Sequence, residues 1–182
     1  MREVILTVCT RAAGKSTFCE NVVAIDPSIA YISRDQILIE LFGSTNLSPY
    51  GGGHMYAIEK MWEAVQEKIC STEKIILDTW NGNHGERQAI IRKLRQYGAD
   101  RVVSWYFVTP LKFVEEWFWQ KPGIAKLSEM RDRQGQGLVF YSEDAPRHDY
   151  NLFHKWASDI DLDGFDQVIR INPVAMRPED VL

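Results

Sequence analysis

Lys15 and Ser16 are the residues whose types and spacing most plainly suit chemistry. They stand in AGKST, the end of the stretch TVCTRAAGKST from Thr7 to Thr17. That stretch follows the phosphate-binding pattern G-x-x-x-x-G-K-[ST] except at its first position, which is Cys9. A short apolar run precedes it and a helical pattern follows, the context the pattern needs. Successive backbone N–H groups wrap an anion there, and the helix N-terminus adds a favourable dipole. Ala12, Ala13, Gly14, Lys15, Ser16 and Thr17 are therefore the expected contacts of the phosphates of ATP. Lys15 would reach the terminal phosphates and Ser16 would hold Mg²⁺ through its hydroxyl. The bland alternative is a chance GKS in a strand–helix connection. Cys9 reads best as a small buried residue at a strand end, since no partner base for a catalytic thiol is evident.

One acid follows the second apolar run and another ends the third. Asp35, in YISRDQI, is placed to accept the proton of an attacking hydroxyl and to orient it. Its alternative role is an N-cap of the helix that follows. Arg34 would guide an acceptor phosphate or pair with a surface acid. Asp78, in KIILDT, stands where a Walker B acid would reach Mg²⁺; it would otherwise contact the acceptor or brace the phosphate loop. Thr79, Asn81 and Asn83 add polar groups on the same rim. Arg87 would face the acceptor or lie exposed on its helix. Lys121, Lys126, Arg131 and Arg133 make QKPGIAKLSEMRDRQGQG basic. Phosphoryl transfer needs cations against charge on the equatorial oxygens, so one of Arg131 and Arg133 is a candidate catalytic residue. The alternative is a solvated helix of mixed charge. Trp80, Trp119 and Tyr50 are candidate walls of an acceptor pocket. DIDLDG, Asp159 to Gly164, opens like a calcium loop but has Arg170 where the bidentate Glu belongs.

The elements that must position these residues alternate. Apolar runs at Val4–Val8, Ile29–Ser33, Lys74–Thr79, Arg101–Val108 and Gln167–Ile171 read as buried strands. Helical patterns run from Gly14 to the stop at Pro27, from Asp35 with Ile37, Leu38 and Leu41 inward, and from about His54 with Ile58, Met61, Trp62, Val65 and Ile69 on one stripe. Another covers Gly85–Tyr97, and Pro110 can start the next. Asp144–Asp163 reads as irregular and polar, with Tyr150, Phe153 and Trp156 at helical spacing. This alternation predicts an α/β fold, three layers with a parallel sheet of about five strands. At 182 residues one domain is the simplest account, with a helical flap or lid around 112–160.

Composition narrows the class. A net charge of -4 predicts no broad basic face for duplex DNA, though a local groove for one strand end is compatible with it. No apolar run approaches the ~20 residues of a membrane span, so no membrane partner is expected. Three cysteines without metal-type spacing fit a reducing, cytoplasmic setting.

VILTVCTRAAGKSTFCENVV, YISRDQI and IILDTWNGNHGERQAIIRKLRQYGADRVVSWYF together resemble the kinase domain of phage-type 5′-hydroxyl polynucleotide kinases and their AAA_33-like P-loop relatives. DGFDQVIRI is similar to the segment these proteins carry before the last strand. The resemblance covers about 1–110 and, weakly, 163–172. It implies a P-loop NTPase fold and an ATP- and Mg²⁺-dependent phosphotransferase acting on a polynucleotide 5′ end or a nucleotide-like molecule. By it Lys15 and Ser16 match the phosphate loop, Asp35 the general base, Asp78 the third-strand acid, and Arg131 or Arg133 the arginine that clamps the donor. Three departures accompany it. Cys9 replaces the first Gly. Leu38 stands where many members carry an acceptor-binding Arg, which passes that work to Arg34 or Arg87. No phosphatase motif D-x-D-x-[TV] is present. The wider superfamily includes kinases of nucleotides, modified DNA bases, aminoacylated RNA and small metabolites. A nucleotide-binding switch or interaction module that hydrolyses ATP weakly is the reading from another class.

Overall fold

Every one of the five expected strands forms and joins one parallel sheet. The computed structural model describes residues 1–45 and 52–182. The strands are β1 (Glu3–Val8), β2 (Ala30–Ser33), β3 (Lys74–Asp78), β4 (Arg101–Phe107) and β7 (Gln167–Ile171), in the order β2-β3-β1-β4-β7. Helices α1 (Lys15–Ile25), α2 (Arg34–Phe42), α3 (Gly52–Ile69), α4 (His84–Gln96), α5 (Leu111–Gln120) and α6 (Ala145–Trp156) connect or flank them. Alternation along the strands fills both faces. Val4, Leu6 and Val8 pack with Met61, Val65 and Ile69 of α3, Ile91 and Leu94 of α4, and Phe153 of α6. Ile5, Val103, Trp105 and Phe107 pack with Phe18, Cys19 and Val22 of α1 on the other face. The result is the three-layer α/β/α architecture of P-loop NTPases.

Between α5 and α6 the structure departs from the sequence reading. A second, two-stranded parallel sheet forms from β5 (Ile124–Lys126) and β6 (Val139–Tyr141). Nothing in the charged segment between them announces it, because its pairing partner lies some 15 residues away and each strand is a single triplet. Asp144–Asp163 is mostly the regular helix α6, not irregular chain. In α2 only Leu38 is fully buried; Leu41 is exposed and Ile37 packs partly against the core. Tyr50 falls outside the described residues.

Parallel pairing puts all five strand exits on one edge. Ser33 pairs with Asp78 and Val8 with Tyr106, so the loops after β2, β3, β1 and β4 leave side by side. The loop after β1 is central. Those after β2 and β3 lie to one side of it, and those after β4 and β7 to the other. This edge is where ligands bind in open parallel sheets.

Candidate active site

The loop between β1 and α1 takes its shape from two left-handed residues. Gly14 has φ 78°, and a Cβ there would come within 2.7 Å of the Trp117 ring. Ala12 has φ 61°, which makes it the only non-glycine residue with positive φ among the described residues. Such a conformation costs an L-residue about 1–2 kcal/mol. Cys9 is outside that region, so the motif's first position asks nothing here that a cysteine cannot give. Burial pushes the Cys9 thiol up to about 11, with the Lys15 charge opposing, and so keeps it protonated. From β4's exit, Thr109 Oγ1 donates to the Ala13 carbonyl at 2.7 Å and ties the loop to the sheet. Gly14 precedes α1 without a side-chain cap, which leaves the first-turn N–H groups open to an anion.

Lys15 Nζ forms an ion pair with Asp78 Oδ1. Asp78 is buried, and its Oδ2 accepts from Tyr31 Oη at 2.9 Å. Burial opposes the Lys15 charge, while Cys9 and the Asp78 carboxylate favour it; its pKa ends above the ordinary value. Since Cys9 is a thiol, Asp78 is the physical cause. Tyr31 is pushed up by burial and then by the same carboxylate.

Ser33, not Asp35, caps α2: its Oγ accepts from Gln36 N at 3.4 Å. Asp35 is free of that duty and sits in the first turn, half exposed. Arg34 Nη2 lies 2.6 Å from Asp35 Oδ1 and Nε 3.1 Å from it. Burial raises the Asp35 pKa, but Arg34's charge and hydrogen bonds outweigh it and hold the carboxyl below its usual range.

One cleft of about 710 Å³ joins these groups. That volume falls within the usual range of small-ligand sites. The β1–α1 loop, Arg34, Asp35 and Asp78 all line it. Four cations (Arg11, Lys15, Arg34 and Lys121) face two carboxylates there, in a chain of net charge -4. Lys121 responds to the crowding. Shelter inside the cleft, then repulsion from Arg11 and Lys15, lowers its ammonium pKa.

Several expected residues are not brought to the cleft. Arg87 is wholly buried. Its Nε binds Asp163 Oδ2, its Nη1 donates to the Gly82 carbonyl at 2.8 Å and its Nη2 to the Trp156 carbonyl at 2.9 Å. It therefore faces no acceptor. Asp163, from the DIDLDG run, also meets His84, and this accounts for that run without calcium. Arg131 is exposed and away from the cleft, and Arg133 spends its guanidinium on Glu129 at 2.9 Å and Gln136 at 3.1 Å. Trp119 packs on Phe118; Trp117 lines the cleft in its place. Asn83 caps α4. Leu38 is fully buried, so that position cannot touch an acceptor. Arg11, Tyr31 and Thr109 were missed by sequence reasoning. Arg11 had a signal, its place inside the phosphate loop; Tyr31 and Thr109 become relevant only once the strands are paired.

Ser16 and Asp78 both line the cleft, so the chain offers one hydroxyl and one carboxylate toward Mg²⁺. Among the described residues no cluster of three or more acidic, His or Cys side chains could cage an ion. Mg²⁺ is usually held by one or two carboxylates with substrate phosphates and water, a set to which Ser16 and Asp78 would contribute. Thr10, whose Oγ1 is buried without a hydrogen-bond partner, also borders the cleft.

No family model matches the chain, and no curated protein matches it. Solved structures do match in fold. One is a chain of the Pnkp1/Rnl/Hen1 RNA repair complex, 18% identical, TM-score 0.63, with 87% of this chain aligned to 46% of that one. This chain thus spans about half of that relative. A kinase of Chloroflexus aurantiacus, described as putative, is 11% identical at TM-score 0.63, with 99% and 94% of the two chains covered. Shikimate kinase from Bacteroides thetaiotaomicron is 13% identical at TM-score 0.59, with 97% and 92% covered. What these likenesses show is the fold: this chain has the three-layer parallel α/β/α architecture of the P-loop kinase-fold enzymes.

Proposed function

We propose that the protein is an ATP-dependent phosphotransferase that moves the γ-phosphate to an acceptor hydroxyl, that of a polynucleotide 5′ end. The observation that carries this reading is one cleft, lined by four cations and two carboxylates, that holds both the uncapped phosphate loop and the Asp35 carboxylate. The fold likeness to an RNA repair chain and to other kinases supports it.

The first-turn N–H groups of α1 and Lys15 bind the β- and γ-phosphates. To do so Lys15 exchanges Asp78 for phosphate oxygen. Ser16 and Asp78 would hold Mg²⁺, which supplies neutralisation of charge on the β- and γ-oxygens. Asp35 orients the acceptor hydroxyl and takes its proton as the new O–P bond forms. The bond from the γ-phosphorus to the β-bridging oxygen breaks, and ADP leaves. Arg34 holds the acceptor's phosphodiester. Arg11 and Lys121 stabilise the transferring group, in place of the flap arginines, which would need the 112–160 segment to close.

The test is transfer of label from γ-labelled ATP to 5′-hydroxyl DNA, 5′-hydroxyl RNA, nucleosides and small hydroxy acids. Mg²⁺-dependent labelling of an oligonucleotide 5′ end is expected. Asp35→Asn should abolish it with ATP affinity nearly intact. ATP turnover that no acceptor changes would instead identify a nucleotide-binding switch.

A further inference from the structure

Trp80 follows Asp78 by two residues, as Asp35 follows Ser33, and Ser33 and Asp78 are paired across adjacent strands. The two residues therefore leave the sheet on neighbouring strands, on the same side of the phosphate loop. Both line the cleft. Pro173, Met176 and Pro178 line it from the opposite flank, beyond β4. A donor that lays its phosphates on the central loop and its base toward Pro173 and Met176 leaves the Asp35–Trp80 flank to the acceptor.

Trp80 is unusual on that flank. The residue is 50% exposed, yet its neighbours are fixed. Asn81 is buried and its Nδ2 donates to the carbonyls of Thr7 at 2.7 Å and Thr79 at 2.9 Å. The Gly82 carbonyl is held by Arg87 at 2.8 Å. A Cβ on Gly82 would stand 2.8 Å from Trp80 Cζ2 and 3.1 Å from Trp156 Cε3, so only glycine leaves room for both indoles. An exposed aromatic ring on a backbone held this firmly is a platform. In the same cleft Arg34 supplies a planar cation.

We infer that Trp80 stacks the terminal base of the acceptor while Arg34 holds the adjoining phosphodiester, so that the acceptor must carry a base at its reacting end. The inference rests on the phosphotransferase reading above and names the acceptor class for that site. Stacking on an aromatic face is tolerant of sequence, so little preference among the four bases is expected.

The experiment compares a 5′-hydroxyl thymidine dinucleotide with the same molecule lacking the 5′-terminal base. Acceptor KM and ATP KM are measured for the wild type, Trp80→Ala and Trp80→Phe, and acceptor Kd by calorimetry with a non-hydrolysable ATP analogue. Thermal melts check folding. Trp80→Ala should raise acceptor KM and Kd by about tenfold to a hundredfold, with ATP KM moved less than twofold. Trp80→Phe should recover most of the loss. The abasic acceptor should be poor with the wild type and indifferent to Trp80→Ala. Equal use of the two acceptors, or an unchanged acceptor KM in Trp80→Ala, overturns the stacking role and leaves the kinase reading intact. Base-dependent binding that needs Trp80 but yields no transfer overturns the kinase reading and leaves the platform.

Discussion

Replacing Arg87 with Met separates two accounts of that residue by what it damages. Both members of the Arg87–Asp163 pair have fully buried side chains, and the guanidinium also satisfies the carbonyls of Gly82 and Trp156. Met keeps most of the volume and deletes the charge. The Asp163 carboxylate then stays buried with only His84 beside it. Removing one partner of a buried pair costs about 3–5 kcal/mol, mainly from the charge left uncompensated. In a chain of this size each kcal/mol lowers Tm by roughly 2–4 °C, so the expected fall is about 6–20 °C. Scanning calorimetry or far-UV melts read it directly. Arg87→Met with Asp163→Leu should recover much of the loss, because an apolar pair has no orphaned charge. A melting point within about 2 °C of wild type, together with a large rise in acceptor KM, would refute this reasoning and return Arg87 to the acceptor.

Gly14→Ala combines a left-handed backbone with a contact on Trp117. We expect it to cost about 1–2 kcal/mol for the backbone and about 1–3 kcal/mol for displacing the ring, seen as a lower melting point and weaker triphosphate binding; an unchanged melt would contradict the close approach. Asp35 has its pKa lowered in the folded protein, since Arg34 outweighs burial. Its contribution to stability is therefore present above the unfolded carboxylate pKa of about 3.9 and disappears as pH falls through the lower folded value. For transfer, Asp35 should be ionised throughout the neutral range, and Arg34→Gln should move the acid limb of kcat/KM upward. A limb that stays in place would remove Arg34 as the cause.

The parts of the fold that could be read in the sequence are those with local causes. KIILDT and VILTV announce buried strands by composition, and AGKST announces a strand–loop–helix by chain order alone. Asp35 is a candidate in the sequence because it follows such a strand, and the structure brings it to the cleft. What escaped notice depends on distant partners. Arg87 looks like any surface residue of α4 until Asp163, 76 residues away, is folded against it. Arg133 looked suited to phosphate because its local pairing with Glu129 and Gln136 is a matter of turn geometry, which charge spacing does not reveal. The pattern's departure at Cys9 drew attention to the wrong position: the conformational demand falls on Ala12.

The β1–α1 loop would have consequences for how fast an anionic ligand arrives under the proposed function. Ala12 and Gly14 hold its shape, Thr109 anchors it, and Trp117 backs it, so the loop backbone needs little rearrangement and only the Lys15–Asp78 pair must open. The rate of approach is then left to the field of Arg11, Lys15, Arg34 and Lys121, which line the cleft of an otherwise acidic molecule. Such steering draws anions in and weakens as added salt shortens the reach of the field, to about 10 Å at 0.1 M. The cleft thus works as a small electrostatic funnel whose pull depends on the ionic strength outside.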